Sequence, residues 1–237
     1  MLKIKFIPTS KESESFAPKP IPAQSIFPQW FKDQKPYGTE KAELMNLSQG
    51  GSYNLTVKKC QAIADTLSSG YLILCPMDIY VDATGDYLKW RVPPAPLKEQ
   101  VVSVHGPQQI VEFPIDKNIY SETLFRIMPC WAIETPKGYS SLFVPPMNRE
   151  NILTAVPGII DTDGFASNGG LSFLVKKGFS GIIPQGTPIV QVIPFKREEW
   201  KSEVSPDSSI LRKQSLIIRS VFQHGYKKNM WKKKVYR

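Results

Sequence analysis

Two carboxylates separated by one residue, Asp161 and Asp163, are the strongest candidates for chemistry in this sequence. They follow an apolar pair, and Gly164 comes directly after them. A carboxylate held beside a glycine can act as a general base that activates water. The same spacing suits carboxylates that accept hydrogen bonds from the backbone of a turn or pair with an arginine. Both roles are open at this stage, and we favour turn capping or ion pairing over catalysis.

A polar small-molecule pocket would form if the loops of five residues converged: His105, Gln109, Asn148, Arg149 and Asp161. The candidate ligand-binding residues are His105, Gln109, Asn148, Arg149, Asp163 and Gln191. Arg149 could bind an anion, or it could pair with one of the two carboxylates. Gln191 lies in an apolar run, where we expect it to hydrogen-bond backbone groups of a neighbouring strand. The two histidines accompany no serine or cysteine nucleophile motif, so the sequence does not support a catalytic triad.

The two carboxylates lie in segment 156–195, which predicts a series of short antiparallel strands. Glycine and proline recur between pieces rich in Val, Ile and Phe, a spacing typical of strands joined by tight turns. One such turn is predicted at the Asn-Gly-Gly sequence of 168–170. Two hairpins are predicted upstream, one over 71–92 and one over 131–144. The predicted fold class is therefore mainly β.

Two helices are predicted, one in each half of the chain. Thr56 can cap a short helix that runs to Leu67, and Gly70 can end it. The second helix is predicted to begin near Ser205-Pro206 and to end at Gly225. Its apolar face would consist of Ile210, Leu211, Ile217, Ile218, Val221 and Phe222.

Three regions follow from these patterns. Residues 1–55 form a Pro-rich, extended N-terminal arm, residues 56–200 form the main β domain, and residues 201–237 form a basic helical tail. The arm carries an aromatic knob that includes Trp30 and Phe31. This knob could pack on the chain's own domain or on a neighbouring molecule.

The positive charge of the protein is concentrated at its C-terminal end. The formal net charge is +9, and residues 210–237 contain nine Lys or Arg residues and no acid. A basic extension of this kind contacts a polyanion or an acidic protein surface, and interleaved aromatic residues suit stacking on nucleic acid. The candidate partner-binding residues of arm and tail are Trp30, Phe31, Lys227, Lys228, Trp231, Lys232, Lys233, Lys234 and Arg237.

Cysteine and histidine usage gives no sign of a metal site or a cofactor. The three cysteines are far apart and form no Cys-x-x-Cys motif, which favours reduced thiols, and neither histidine lies near a cysteine. No apolar stretch approaches the roughly 20 residues of a membrane span, so no membrane association is expected. The N-terminus lacks the features of a secretory signal.

Two sequence elements resemble motifs of the trimeric dUTPase and dCTP deaminase superfamily. They are Gly158-Ile-Ile-Asp161-Thr-Asp163 and Gly186-Thr-Pro-Ile-Val-Gln191. The resemblance implies a β-clip fold, a distorted barrel of short strands that is commonly trimeric. It would make Asp161 the water-activating base and Arg149 a phosphate ligand, with Mg²⁺ as cofactor. The chain departs from the family because Pro145-Pro-Met-Asn-Arg149 lacks the family's Ser and Gly, and a Lys-rich tail replaces its Gly-rich flap.

A longer set of motifs is similar to an uncharacterised protein family of tailed bacteriophages, notably those of marine cyanobacteria. The motifs are Pro28-Gln-Trp-Phe31, Thr56-Val-Lys-Lys-Cys60, His105-Gly-Pro-Gln-Gln109, Pro145-Pro-Met-Asn-Arg149, Asp161-Thr-Asp163 and the stretch from Gly186-Thr-Pro to Pro194-Phe-Lys-Arg197. This resemblance implies a phage setting without a mechanism. A β-clip in that setting also suits capsid decoration proteins.

We therefore predict a phage-encoded, non-enzymatic structural or assembly protein. Its core would form a homo-oligomer such as a trimer, and its arm and tail would contact other virion proteins or nucleic acid. It would be found in the host cytoplasm during infection or in the virion. The alternatives are a dUTPase-like nucleotide-binding or nucleotide-processing enzyme with Asp161 as base, and a small-molecule binding module.

Overall fold

The computed structural model describes residues 2–38, 55–94, 100–166, 170–220 and 225–237. Short strands dominate it, as expected for a chain rich in Val, Ile and aromatic residues with frequent glycine and proline. The strands are β1 Lys5–Pro8, β2 Ile21–Pro22, β3 Tyr71–Leu74, β4 Ile79–Asp82, β5 Lys89–Arg91, β6 Val102–His105, β7 Leu124–Ile127, β8 Trp131–Glu134, β9 Tyr139–Val144, β10 Leu153–Ala155, β11 Gly158–Ile160, β12 Leu171–Val175, β13 Ser180–Ile183 and β14 Pro188–Lys196.

The described strands form four antiparallel sheets. Their orders are β1-β8, β10-β12-β7-β6, β11-β9-β14-β3-β2 and β13-β4-β5. The prediction of a mainly β fold built from short antiparallel strands is confirmed. The described strands do not close into a single continuous barrel.

One hydrophobic core is shared by all four sheets. Its largest fully buried side chains include Phe125, Phe173 and Ile79, which belong to three different strands. Strand β14 crosses the centre of the five-stranded sheet, pairing with β9 on one side and β3 on the other. The middle residues of β14, from Ile189 to Val192, are buried.

The two predicted hairpins have different outcomes. Strands β4 and β5 pair as the hairpin predicted over 71–92. The hairpin predicted over 131–144 is wrong, because β8 pairs with β1 while β9 pairs with β11 and β14. The connecting turn directs the chain from one sheet into another, and Gly138 in that turn has a φ of 86°. The Asn-Gly-Gly turn predicted at 168–170 lies largely outside the described residues.

The described helices are short. They are α1 Lys11–Phe16, α2 Gln29–Asp33, α3 Gln61–Ser68, α4 Ser209–Arg219 and α5 Gly225–Asn229. The helix predicted after Thr56 corresponds to α3, although Thr56 itself caps a preceding 3₁₀ turn by accepting a hydrogen bond from the Lys58 amide. No helix in the part of the chain that the structure describes has the length and apolar character to cross a membrane.

The N-terminal segment is less separate than the predicted arm boundary at residue 55 implies. Strand β1 pairs with β8, and β2 adds an edge to the five-stranded sheet. Helices α1 and α2 also interrupt the extended backbone that was expected there. Backbone hydrogen bonding therefore ties this segment to the main domain. Residues 39–54 of the predicted arm lie outside the described part.

The described part of the C-terminal region contains two helices, whereas one was predicted. Helix α4 begins at Ser209, because Asp207 accepts hydrogen bonds from the Ser209 amide (2.8 Å) and hydroxyl (3.0 Å). Gly225 was expected to end the helix, but it begins α5. Val221 and Phe222, predicted on the apolar face, lie outside the described residues.

Candidate functional site

The two candidate carboxylates lie on a turn that directly follows β11, and Arg197 contacts both of them. The Arg197 guanidinium donates to both oxygens of Asp163, with Nη1 2.9 Å from Oδ1 and Nη2 on Oδ2. The Gly138 amide donates to Asp163 Oδ2 at 2.7 Å. The hydrogen bonds from Arg197 and then from Gly138 lower the pKa of Asp163 to about 2. Asp163 is therefore held as an ionised, ion-paired carboxylate.

Asp161 lies beside this pair but is more open to solvent. Its side chain is 69% exposed, whereas that of Asp163 is 10% exposed. The Ser140 hydroxyl donates to Asp161 Oδ1 at 2.6 Å, and Arg197 Nη1 approaches the same oxygen at 3.3 Å. Asp161 thus shares its arginine with Asp163, and one of its oxygens is already engaged.

Buried hydroxyl groups fix the carboxylate turn on the side that faces the core. Thr162 lies between the carboxylates and is only 2% exposed. Its hydroxyl contacts those of Thr135 at 2.7 Å and Ser141 at 2.9 Å, and its carbonyl accepts from the Thr135 amide. These contacts direct Asp161 and Asp163 away from the core and toward Arg197.

Arg197 is the site residue that sequence reasoning missed. It comes directly after β14, and its amide donates to the Gly138 carbonyl at 2.9 Å, which continues the pairing of β14 with β9. This register brings Arg197 to the carboxylate turn from 34 residues away in sequence. The signal available in the sequence was a basic residue at the end of the Gln191 strand, but its partner strand was not predicted.

The carboxylate turn does not fit a divalent cation. Mg²⁺ is held by oxygen ligands such as carboxylates. Here a cation shared by Asp161 and Asp163 would compete with the Arg197 guanidinium, which already contacts both side chains. Among the described residues, no group of three or more His, Cys, Asp or Glu side chains is placed to hold a metal ion.

Arg149 does not pair with the candidate carboxylates. Its Nη2 donates to the backbone carbonyls of Leu67 at 3.0 Å and Ala23 at 3.3 Å, which ties the loop after β9 to the C-terminal end of α3. Burial lowers the pKa of Arg149. Its neighbour Asn148 has a φ of 55° and accepts a hydrogen bond from the Trp30 indole at 2.9 Å. Asn148 and Arg149 line a cavity of about 610 Å³.

Gln191 is fully buried and makes three hydrogen bonds to backbone groups. Its Oε1 accepts from the Met147 amide at 3.0 Å, and its Nε2 donates to the carbonyls of Thr66 at 2.9 Å and Ser69 at 2.6 Å. We expected backbone partners for this side chain on a neighbouring strand. The actual partners lie in a loop and at the end of α3. Gln191 thus joins three segments and is not open to a ligand.

His105 and Gln109 lie in another part of the molecule. His105 is the last residue of β6, an edge strand, and pairs with Leu124. Gln109 accepts a hydrogen bond from the Gly106 amide at 2.9 Å, which stabilises its own loop. Neither residue lines the cavity beside Arg149. The polar pocket that the sequence suggested does not form, because His105 and Gln109 lie apart from Arg149, and Arg149 does not pair with Asp161.

The aromatic knob packs on the chain's own domain. Phe31 is 8% exposed, stacks on Phe27 and lies 4.4 Å from the Lys58 ammonium. Trp30 is 37% exposed and is held by its hydrogen bond to Asn148. Of the two knob residues, only Trp30 retains a substantial surface for a partner.

The end of the basic tail also returns to the domain, and we call residues 231–237 the C-terminal strap. The Trp231 indole donates to Asp65 on α3 at 2.8 Å, and Lys234 donates to the same carboxylate at 2.6 Å. Tyr236 packs edge-on against Tyr71, with ring centroids 5.9 Å apart. Burial raises the pKa of Asp65, but the hydrogen bonds from Lys234 and Trp231 outweigh it and lower the pKa overall.

The strap contacts leave other basic residues of the tail exposed. Two of the predicted partner-binding residues, Trp231 and Lys234, are engaged by Asp65. Apart from Lys234, which is exposed but paired with Asp65, the exposed cations of α5 and the strap are Lys227, Lys228, Lys232, Lys233 and Arg237.

Comparison with known proteins returns structures of phage enzymes at low similarity. No family model and no curated protein matches the chain. A dUTPase of Staphylococcus bacteriophage 80alpha with bound dUpNHpp aligns at 14% identity and a TM-score of 0.27, covering 55% of this chain and 89% of that chain. Two structures of the dUTPase from phage phi11 of S. aureus, one of which concerns a structural Mg(II) ion, align at 13% identity with TM-scores of 0.29 and 0.26. Each covers 55% of this chain, and they cover 98% and 97% of their own chains. At this level of similarity, neither the activity nor the site residues of those enzymes can be assigned to this chain.

Proposed function

We propose that this protein is a phage-encoded, non-enzymatic assembly protein. Its β core acts as a scaffold, and its C-terminal region binds neighbouring molecules. The observation that carries this proposal is helix α4, which has no buried residue although five of its eleven side chains are large and apolar. A monomeric soluble protein rarely leaves such a surface uncovered, so an exposed apolar helix face indicates an interaction site.

Helix α4 combines apolar and basic side chains. The exposed fractions of its apolar residues are 59% for Ile210, 64% for Leu211, 70% for Leu216, 45% for Ile217 and 37% for Ile218. Its charged residues are Arg212, Lys213 and Arg219, and it contains no acid. A helix of this composition binds by burying its apolar side chains while its cations meet carboxylates or phosphates at the rim.

The chain is tied to the core on both sides of α4. Before the helix, Arg197 is fixed by its ion pair with Asp163 and by the hydrogen bond from its amide to the Gly138 carbonyl. After the helix, the C-terminal strap is fixed by Asp65 and Tyr71. Anchoring at both ends limits the positions that α4 can take, and such restriction reduces the entropy lost on binding.

The carboxylate turn gives a further argument for a non-enzymatic role. A general base needs an accessible carboxylate that is free to take a proton from water. Asp163 is neutralised by Arg197 and has a pKa of about 2, and Asp161 accepts from Ser140 and Arg197. These contacts support a structural role for the turn. The phage setting, with the host cytoplasm or the virion as location, comes from the sequence motifs.

Two measurements test this proposal. The first is mass spectrometry of purified particles and assembly intermediates of the phage that encodes the protein, in which we expect to detect it. The second is pyrophosphate release from a panel of nucleoside triphosphates at millimolar concentration with Mg²⁺, in which we expect none. Release that is abolished by Asp161→Asn would establish the enzymatic alternative, and consistent absence from every particle and intermediate would refute the assembly role.

A second candidate function is binding of a small organic anion in the cavity beside Arg149. The observation that favours it is a half-buried guanidinium whose Nε has no partner and which forms no ion pair with a described carboxylate. Lys176 lines the same cavity, as do Val144 and Leu153. Titration with benzoate and with inorganic phosphate, compared between the native protein and Lys176→Gln, tests this function. If calorimetric titration shows no binding heat with either protein, this second function is eliminated.

A further inference from the structure

The segment that leads into α4, residues 198–208, has the opposite chemistry to the helix, and we call it the lead segment. It contains four acids, Glu198, Glu199, Glu203 and Asp207, against a single cation, Lys201. It also exposes two large apolar side chains, since Trp200 is 85% and Val204 is 96% exposed. Apolar and acidic residues thus stand together directly before an apolar and basic helix.

Two of the four acids have local partners and two do not. Glu198 pairs with Lys196 at 2.7 Å, and Asp207 accepts hydrogen bonds from Ser209 at the start of α4. Within the described part of the chain, no hydrogen bond or ion pair is formed by the side chains of Glu199 or Glu203. The lead segment therefore presents two unneutralised carboxylates next to its two exposed apolar side chains.

The lead segment and α4 do not satisfy each other within one chain. Among the described residues no ion pair joins the acids of 198–208 to the cations of α4, and the apolar side chains of both remain exposed. The lead segment runs directly into the helix, so it has no intervening turn that would fold it back along the helix face. A second chain has no such restriction.

We propose that the lead segment of one copy binds helix α4 of a second copy. This inference deepens the proposed assembly function by naming the occupant of α4. The dimensions agree: eleven helical residues span about 16 Å, a distance that five extended residues also cover. Glu199 and Glu203 would lie roughly 13 Å apart on an extended chain, and Arg212 and Arg219 lie roughly 10 Å apart along the helix axis. The two acids can therefore meet the two arginines together.

A second copy explains more of the surface than the other partners of a basic helix do. A nucleic acid would neutralise the cations but would leave the Ile and Leu side chains uncovered. Nucleic acid and anionic lipid would both be repelled by the acids that precede the helix. In a closed homo-oligomer every chain supplies one lead segment and one helix, so the acids and the cations of every copy are paired.

The test is a charge exchange between the two halves of the interface in the full chain. One variant carries Glu199→Lys and Glu203→Lys, and the other carries Arg212→Glu and Arg219→Glu. We expect the native protein to associate and each variant alone to dissociate with a Kd raised by about tenfold or more. An equimolar mixture of the two variants should associate again, since each lead segment then faces an α4 of opposite charge.

Sedimentation velocity over a concentration series measures all four samples, and far-UV circular dichroism confirms that both variants are folded. A native protein that stays monomeric to the millimolar range would overturn the inference. Association that is equal in the native protein and both variants would overturn it as well. A monomer whose α4 binds an oligothymidylate or a phosphatidylserine vesicle would assign the helix to another partner. None of these outcomes bears on pyrophosphate release or on particle composition, which test the assembly function itself.

Discussion

Replacing Gln191 by leucine is expected to destabilise the protein strongly, although it keeps the size of the side chain and adds apolar surface to an apolar strand. The side chain is fully buried and satisfies three backbone groups that belong to the loop after β9 and to the end of α3. Leucine can neither accept from the Met147 amide nor donate to the carbonyls of Thr66 and Ser69. All three partners are partly buried, and each would lose a hydrogen bond.

The magnitude follows from these three bonds. An intramolecular hydrogen bond contributes about 1 kcal/mol net, and a buried group left without a partner costs about 1–3 kcal/mol. The loss should therefore be at least about 3 kcal/mol. For a domain of this size it corresponds to a fall in Tm of about 6–12 °C. The gain from burying a leucine is small, because Gln191 already fills the space.

Urea unfolding followed by circular dichroism measures this loss. Gln29→Leu is the matched control, since Gln29 is exposed and makes one surface hydrogen bond to Asp33. We expect the control to change the free energy of unfolding by less than about 0.5 kcal/mol. Gln191→Glu refines the test. It keeps an acceptor for the Met147 amide but opposes two carbonyls with a buried carboxyl, so the pKa of that carboxyl should rise on folding and stability should fall as pH increases above about 4. A Gln191→Leu protein as stable as the control would refute the network.

Three further outcomes are expected. Arg197 and Gly138 lower the pKa of Asp163 to about 2, so the ion pair of Arg197 and Asp163 stabilises the fold fully above pH 3.8, the ordinary pKa of the carboxyl. This contribution is lost as the pH falls toward 2. Asp163→Asn should remove this part of the acid-induced loss of stability in unfolding curves recorded from pH 5 to pH 2. Asp65→Asn should release the C-terminal strap, so that limited trypsin digestion read by mass spectrometry cleaves it several-fold faster, whereas Asp86→Asn, at an exposed position, should leave the rate unchanged. Gly70→Ala should lower the free energy of unfolding by at least about 2 kcal/mol or prevent folding, because Gly70 has a φ of 72° and an added Cβ would lie 2.0 Å from the Val192 carbonyl oxygen. The control in the same urea denaturation assay is Gly158→Ala, since Gly158 has open space around it.

Several features of the fold could be predicted from local patterns. The 71–92 hairpin has its turn residues between two apolar runs, and the structure pairs β4 with β5 there. The 131–144 hairpin has an equally good turn, yet β8 pairs with β1 from the other end of the chain. The residues of a turn predict that the chain reverses direction. Which strands then pair depends on which of them can bind the same strand edge more favourably. That competition involves residues more than a hundred positions away.

In the candidate site, too, some features could be predicted from local sequence and others depended on distant contacts. The two carboxylates were recognisable from their spacing and their neighbouring glycine. Pairing with a carboxylate was one of two open roles for Arg149, but its guanidinium donates to the carbonyls of Leu67 in α3 and of Ala23. Arg197 became the partner because the β9–β14 register continues to the end of both strands.

By itself the sequence determined the mainly β class, the position of the carboxylate turn and the concentration of basic residues at the C-terminal end. Glycine and proline act through local backbone conformation, and charge can be counted, so these features need no knowledge of distant contacts. Only the tertiary structure decided that Arg197 pairs with Asp163 and that Gln191 forms hydrogen bonds with backbone groups. It also decided that Asp65 binds the C-terminal strap and that α4 stays exposed. Each of these depends on strand register or on packing between segments far apart in sequence, and the energy of such contacts exists only once the chain has folded.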